Sequence, residues 1–276
     1  MRSCITQVDC AASSKPTKPP KTQKKRERNE NPKRSHGEHK QNKKEEHAQS
    51  RWVDTLRGPV SIRWEARRVV VIATRGSKNS KTGDMVQTWI LRSDVKPTEA
   101  VKTGEDESIC GDCPHRHFLS GACYVQPFQA PRSVWEKYKR GGYRHATESD
   151  FTELKEMKVR AGSYGDPSAV PLWVWVSCGV STGYSRQWRN FTEQSHYLMA
   201  SVISIREKRE ANALGFRTFR MASPESPVDH DEIICPSASG VSCFDCGLCA
   251  GSRIGAKNIV IEVHGARSKR ALEIIQ

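Results

Sequence analysis

The sequence predicts an α/β protein: a partial or complete βα barrel with cysteine-rich metal-binding loops, preceded by a disordered basic N-terminal tail. Three observations lead there. Composition changes near residue 50. Beyond that point short apolar runs rich in β-branched and aromatic residues recur, with helical stretches between some of them. Seven of the ten cysteines fall into two groups.

Residues 1–50 carry thirteen Lys and Arg against six acids, a net of +7, and no Trp, Tyr or Phe. Such a segment cannot bury enough apolar area to offset its chain entropy, so it reads as disordered. Its basic character suits transient contact with nucleic acid through counterion release, although no aromatic residues are interleaved for base stacking. Residues 51–276 carry all seven Trp and read as one α/β domain.

Composition also excludes classes. Hydrophobic residues make up 36% of the 276-residue chain, and the deficit is concentrated in the tail. The longest apolar run, 170–176, is interrupted by Pro171, whereas a membrane span needs about 20 residues. The first fourteen residues lack the apolar stretch of a secretory signal,. The expectation is a cytoplasmic chain without a membrane segment, whose cysteines are not a disulfide scaffold.

The candidate strands are 69–73, 86–91, 159–161, 172–176, 198–202, 216–221 and 259–263. A helix is expected over 132–140, after Pro131 and before Gly141-Gly142, and another from a Ser149 or Asp150 cap to about Lys158,. The clearest unit starts at strand 198–202. Ser204 then caps helix 206–214, Gly215 ends it, and strand 216–221 follows. Strand, helix, Gly, strand is the βαβ pattern, with parallel pairing and a right-handed crossover. Seven such strands suggest a barrel, and an open doubly wound sheet is the alternative. Several candidate strands end in polar or Gly-rich residues, and sites in βα barrels and open α/β sheets form at the carboxyl ends of strands.

The first cysteine group, within 110–123, is Cys110-x2-Cys113-x9-Cys123 with His115 and His117 inside it. The second, within 235–249, is Cys235-x7-Cys243-x2-Cys246-x2-Cys249. Two cysteines separated by two residues can turn both sulfurs toward one ion, and four thiolates hold either zinc or an iron–sulfur cluster. Gly247 and Gly251 would let the backbone of the second group wrap closely. The first group admits a closed Cys3His zinc site completed by His115 or His117, or a three-cysteine cluster with one open iron. Pooling both groups into one site is a third arrangement. Cys178 reads as a small buried apolar residue, and Cys4 and Cys10 lie in the tail.

Taken together, several motifs carry a resemblance. They are Lys81-Thr82-Gly83-Asp84-Met85-Val86-Gln87-Thr88-Trp89, Ile109-Cys110-Gly-Asp-Cys113-Pro-His115-Arg116, Gly121-Ala-Cys123-Tyr124-Val125, Gly162-Ser-Tyr-Gly165-Asp166-Pro167 and the C-terminal cysteine run. Over roughly residues 80–265 the chain resembles a family of uncharacterised proteins of bacteriophage genomes and related mobile elements. That resemblance implies a location in the cytoplasm of a host cell. A fold-level similarity to radical SAM-like phage proteins implies a partial βα barrel, a three-cysteine cluster and SAM as cofactor. The spacing here is two and nine, where that family's loop runs C-x3-C-x2-C, and the chain shows no SAM-binding glycine motif.

Further candidates come from the strand ends. Asp166, after strand 159–161, would either place a carboxylate at a barrel mouth or make a turn. Tyr184, in the run 182–188 of rings and an arginine, would hold a planar ligand or pack. Arg217 and Arg220 alternate unevenly, so one would point inward to an acid such as Asp166 or to an anion. His264 ends the last strand. In an enzyme, Asp166, Tyr184, Arg217 and His264 would line the cavity, Cys110, Cys113 and Cys123 would hold the reactive centre, and Cys235, Cys243, Cys246 and Cys249 a structural or auxiliary one. The competing expectation is a non-catalytic module stapled by zinc, with the basic tail giving nucleic-acid affinity. No phosphate-binding Gly-Lys loop, nucleophile elbow or His-Glu-x-x-His helix is present,.

Overall fold

The fold is taken from a computed structural model that describes residues 60–62, 68–76 and 79–275. The chain divides into units 1–55 and 56–276, and the fold below belongs to the second. The basic tail, with its expected disorder and nucleic-acid contact, lies outside the described residues.

In chain order the described elements begin with β1 (Val60–Ile62), β2 (Val69–Thr74) and β3 (Val86–Arg92). Helices α1 (Pro97–Thr103), α2 (Glu107–Cys110) and α3 (Ala130–Lys139) follow, then β4 (Arg144–His145), α4 (Glu148–Lys155), β5 (Val159–Tyr164) and α5 (Leu172–Cys178). After these come β6 (Val180–Thr182), β7 (Tyr184–Ser185), β8 (Met199–Val202), α6 (Ile205–Ala213), β9 (Thr218–Ala222) and β10 (Glu232–Ile234). The last are α7 (Cys243–Cys246), β11 (Asn258–Glu262) and α8 (Ser268–Leu272).

Two sheets form. The first has the order β4-β1-β2-β3-β5-β6 and is mixed, because β2 runs antiparallel to both β1 and β3. The second, β10-β11-β9-β8-β7, is parallel throughout. Gly183 alone separates β6 from β7, so one extended segment pairs with β5 on one side and β8 on the other. A Cβ there would come within 2.8 Å of both Ala161 and Leu198, which is why only glycine fits this junction. The parallel strands therefore follow one another as β3, β5, β6 with β7, β8, β9 and β11.

No closed barrel forms among the described strands, since β4 and β10 end the two sheets and do not pair with each other. The physical reason is local. Short β1 and β2 cover the first edge in antiparallel register, and three-residue β10 adds to the other edge.

The fully buried runs of β2 and β3 are covered on both faces, as expected of a central sheet,. The main core joins Ile72, Ile90, Leu91 and Val159 to Val174 and Trp175, and a smaller one gathers Trp188, Ala200, Val202, Ala211 and Phe216. Truncating a residue such as Ile90 to Ala would cost about 2–5 kcal/mol.

Two local expectations are corrected. Run 172–176 is helix, not strand: Pro171 and left-handed Gly179 bound α5, and Val174, Trp175 and Cys178 bury one helical face while Trp173 and Val176 stay exposed. Its apolar stretch was too short to separate period 3.6 from period 2. The cap of α4 is Thr147, with Asp150 as the reciprocal partner of a capping box, and the helix ends at Lys155,. By contrast, β8, the Ser204 cap, α6, left-handed Gly215 and parallel β9 follow the expected βαβ unit. No helix among the described residues is long and apolar enough to cross a membrane.

Candidate metal centres

The first cysteine group is held past the C-terminal ends of β5 and β7. The peptide N–H of Asp166, two residues beyond β5, donates to the Ile109 carbonyl at 2.7 Å. Gln187, two residues beyond β7, donates through Nε2 to Asp112 at 2.6 Å and to the Cys110 carbonyl at 3.3 Å. Within the loop a buried ion pair acts as a clasp. Arg116 meets Asp106 at 2.7 Å and also donates to the Gly111 carbonyl at 3.0 Å and the Gly104 carbonyl at 2.6 Å. Cys123 returns to this frame through its N–H to the His115 carbonyl at 2.7 Å.

Cys110, Cys113 and Cys123 are half-buried, and acidic groups act on them. Burial pushes the Cys110 and Cys123 thiols up, and that of Cys113 up to about 12. The His115 amide hydrogen-bonds the Cys113 sulfur, and the Val125 amide that of Cys123. Asp106, Asp166 and Tyr164 stand close to Cys110. Both ring nitrogens of His115 and the Tyr164 hydroxyl are buried without a hydrogen-bond partner. Burial, then Arg186, pulls the His115 imidazole down to about 4. His117 instead spends Nε2 on the Val125 carbonyl at 2.7 Å.

In the second group the Cys243–Cys249 stretch lies ahead of β3, β7 and β9, while Cys235 directly follows the C-terminal end of β10. Cys235 N–H donates to the Val260 carbonyl of β11, and Cys243 and Phe244 N–H donate to the carbonyls of Lys81 and Thr82, just ahead of β3. Gly83 has no room for a side chain, because a Cβ would lie 2.8 Å from that of Phe244. The Gly183 N–H meets the Cys249 carbonyl at 3.0 Å. Ser242 caps α7, and Gly247 and Gly251 both take positive φ, as the wrapping of this loop requires. All four cysteines, with Thr182, Leu248 and Ile259 among their neighbours, line one cavity of about 20 Å³. Arg160 acts on Cys243 and Cys249, and Arg217 acts on Cys249. Burial dominates at Cys249, whose thiol is pushed up to about 12.

Among the described residues, only Asp229, His230 and Asp231 form a trio of His, Cys, Asp or Glu whose ligand atoms all lie within 4.8 Å of one another. A cation already serves that trio: Lys208 Nζ pairs with Asp229 at 2.6 Å and with Asp231. In every trio of described cysteines at least one sulfur pair is further apart.

The structure does not gather the four expected cavity residues. Asp166 is a buried turn residue that accepts from Ser168 N–H and Oγ, from Ser185 Oγ at 2.6 Å and from Arg186 N–H at 2.7 Å. Tyr184 stacks on Phe219 with centroids 4.5 Å apart. Arg217 grips the carbonyls of Leu248, Gly251, Ala256 and Lys257, and Arg220 pairs with buried Glu232 at 2.7 Å, so neither arginine meets Asp166. His264 faces solvent and bonds only the nearby Glu262 carbonyl at 2.8 Å. The run 182–188 packs rather than opens a slot: Arg186 forms a two-pronged pair with Glu207 at 2.6 Å, and Trp188 is buried under Arg189.

Sequence reasoning missed Asp106, Gln187 and Arg160. For Arg160 a signal existed, since it alternates between the buried apolar residues Val159 and Ala161 of one strand. No family model matches the chain, and no curated protein or solved structure matches it.

Proposed function

We propose that the protein is a metal-dependent enzyme with two thiolate-held iron–sulfur centres. Cys110, Cys113 and Cys123 would hold the reactive one, and Cys235, Cys243, Cys246 and Cys249 an auxiliary one. The observation that carries this reading is the placement of the two groups on one run of parallel strands. The three-cysteine group lies past the strands' C-terminal ends, where α/β folds carry out chemistry. The four-cysteine group lines a cavity of its own, with Cys243, Cys246 and Cys249 ahead of β3, β7 and β9 and Cys235 just after β10. The run β3, β5, β6 with β7, β8, β9 and β11 would serve as a partial barrel between them.

The surroundings fit thiolate ligation. Four thiolates give a centre a net negative charge, and two guanidiniums, Arg160 and Arg217, flank the second group. At the first, the Tyr164 hydroxyl and two peptide N–H groups are donors of the kind that tune thiolate sulfur,. With Zn–S near 2.3 Å, a tetrahedral zinc site needs sulfurs roughly 3.8 Å apart. An iron–sulfur centre with three protein ligands leaves one metal position for substrate or for a cofactor such as SAM. This chain's own residues would orient that ligand and keep water from the buried sulfurs.

A second reading keeps zinc. One of the two unpartnered ring nitrogens of His115 would complete a Cys3His site,. The chain would then be a binding module using the basic tail on nucleic acid. Metal and sulfide analysis of anaerobically purified protein tests the choice: iron with acid-labile sulfide supports the enzyme, and zinc without sulfide supports the module. The phage-family reading and a host cytoplasmic location rest on the motifs named above.

A further inference from the structure

Hydrogen-bond donors outnumber acceptors around Arg160. This residue of β5 donates through Nη2 to the Tyr124 and Tyr184 hydroxyls, 3.0 Å from each, and the two phenol oxygens lie 3.4 Å apart. The stack on Phe219 fixes the Tyr184 ring, and Tyr124 follows Cys123 directly and is 58% exposed. The sulfurs of Cys243 and Cys249 also act electrostatically on the guanidinium. Tyr124, next in sequence to Cys123, opens the cluster to solvent.

A guanidinium has five N–H donors, each phenol has one O–H, and the guanidinium keeps its charge at any ordinary pH. Two N–H groups are spent on the phenol oxygens, and one phenol can donate to the other. Three N–H groups and one O–H remain, and no other hydrogen bond from the Arg160 guanidinium forms among the described residues,. No carboxylate of the described residues pairs with Arg160. A half-buried planar cation with no carboxylate partner and with N–H groups beyond those given to the phenols suits a two-oxygen anion,.

We propose that Arg160, with the Tyr124 and Tyr184 hydroxyls, forms an oxyanion subsite that takes the carboxylate or phosphate of a small molecule. That the anion belongs to a substrate rests on the enzyme reading above; that it binds here rests on the donors alone.

The test is calorimetric titration of the full-length protein with inorganic phosphate and, separately, acetate at about 0.15 M ionic strength, which screens loose surface attraction. Metal content is measured on the same samples. Binding of phosphate alone identifies a phosphate ester as the ligand class, binding of acetate alone a carboxylate, and binding of both a general oxyanion site. Arg160→Gln should weaken binding about tenfold or more, since the charge-assisted bonds are lost. Tyr184→Phe keeps the ring stack and should weaken it a few-fold, which decides the matter if Arg160→Gln does not fold. Arg206→Gln, at a side chain that is 86% exposed, should bind as wild type does. Failure of both anions to bind, or equal binding by wild type, Arg160→Gln and Tyr184→Phe, overturns the subsite. Metal-free protein with Arg160-dependent binding would instead overturn the iron–sulfur reading and leave the subsite standing.

Discussion

Arg217 donates through Nη1 to the Leu248 carbonyl at 2.8 Å and to the Gly251 carbonyl at 3.0 Å, so the residue just before β9 holds the loop bearing the last cysteine. Its Nε and Nη2 take the carbonyls of Ala256 and Lys257 from the same loop. A charged donor shared among four carbonyls has no apolar substitute. Arg217→Met should destabilise the protein by about 3 kcal/mol or more. Chemical denaturation followed by tryptophan fluorescence reads this. Under the two-centre proposal, the same variant should lose metal from the second cysteine group and keep that of the first.

Gly251 takes φ +73°, and a Cβ there would lie 2.5 Å from the His196 carbonyl oxygen. Backbone, not a flexible side chain, is the obstacle, so the loop must move. Gly251→Ala should cost about 2–4 kcal/mol from left-handed strain and the clash together. Gly247→Ala meets no atom within 4 Å and should cost only about 1 kcal/mol, from φ +64° alone,. Paired thermal melts of the two variants compare close approach with conformational freedom.

Asp166 joins β5 to β7 by accepting the Ser185 hydroxyl and the Arg186 amide. In Asp166→Asn one carboxylate oxygen becomes an NH2 that must face existing donors. A loss of about 2–3 kcal/mol is expected, measured by urea denaturation. A variant as stable as wild type would show that the turn, and not the carboxylate, connects the strands.

Glu207 ties α6 to the segment after β7. Burial alone would raise its carboxyl, but the Arg186 guanidinium and the Ile203 amide outweigh it, and the net shift is downward. A carboxyl depressed in the folded state contributes stability that is present above its unfolded value of about 4.3 and is lost as pH falls through its folded value. Stability should therefore drop as pH is lowered below about 4. Glu207→Gln should be less stable at neutral pH and show a shallower acid dependence, as read from urea midpoints across that range.

How much of this was legible in the sequence depended on the length and boundaries of each segment. The unit from β8 to β9 was readable because Ser204 and Gly215 mark both ends of α6. The 172–176 run was not, since Leu-Trp-Val-Trp-Val fits either period until Pro171 and Gly179 are seen to bound a helix. Strands β4, β6 and β7 have two or three residues each and carry no pattern of their own. Cys235, Cys243, Cys246 and Cys249, grouped by their spacing, are among the residues that line one cavity. Spacing could not show that Arg217 would serve carbonyls, that Arg220 would find Glu232, or that His264 would face water, because each partner is distant in sequence or absent.

Iron and acid-labile sulfide analysis, with visible absorption spectra, of anaerobically purified wild type beside Cys113→Ser and Cys246→Ser tests the two-centre proposal most directly. Wild type should carry iron and sulfide, and each variant should lose the share of one centre while keeping the other and remaining folded. Full retention of metal by both variants, or protein that holds no iron at all, would contradict it.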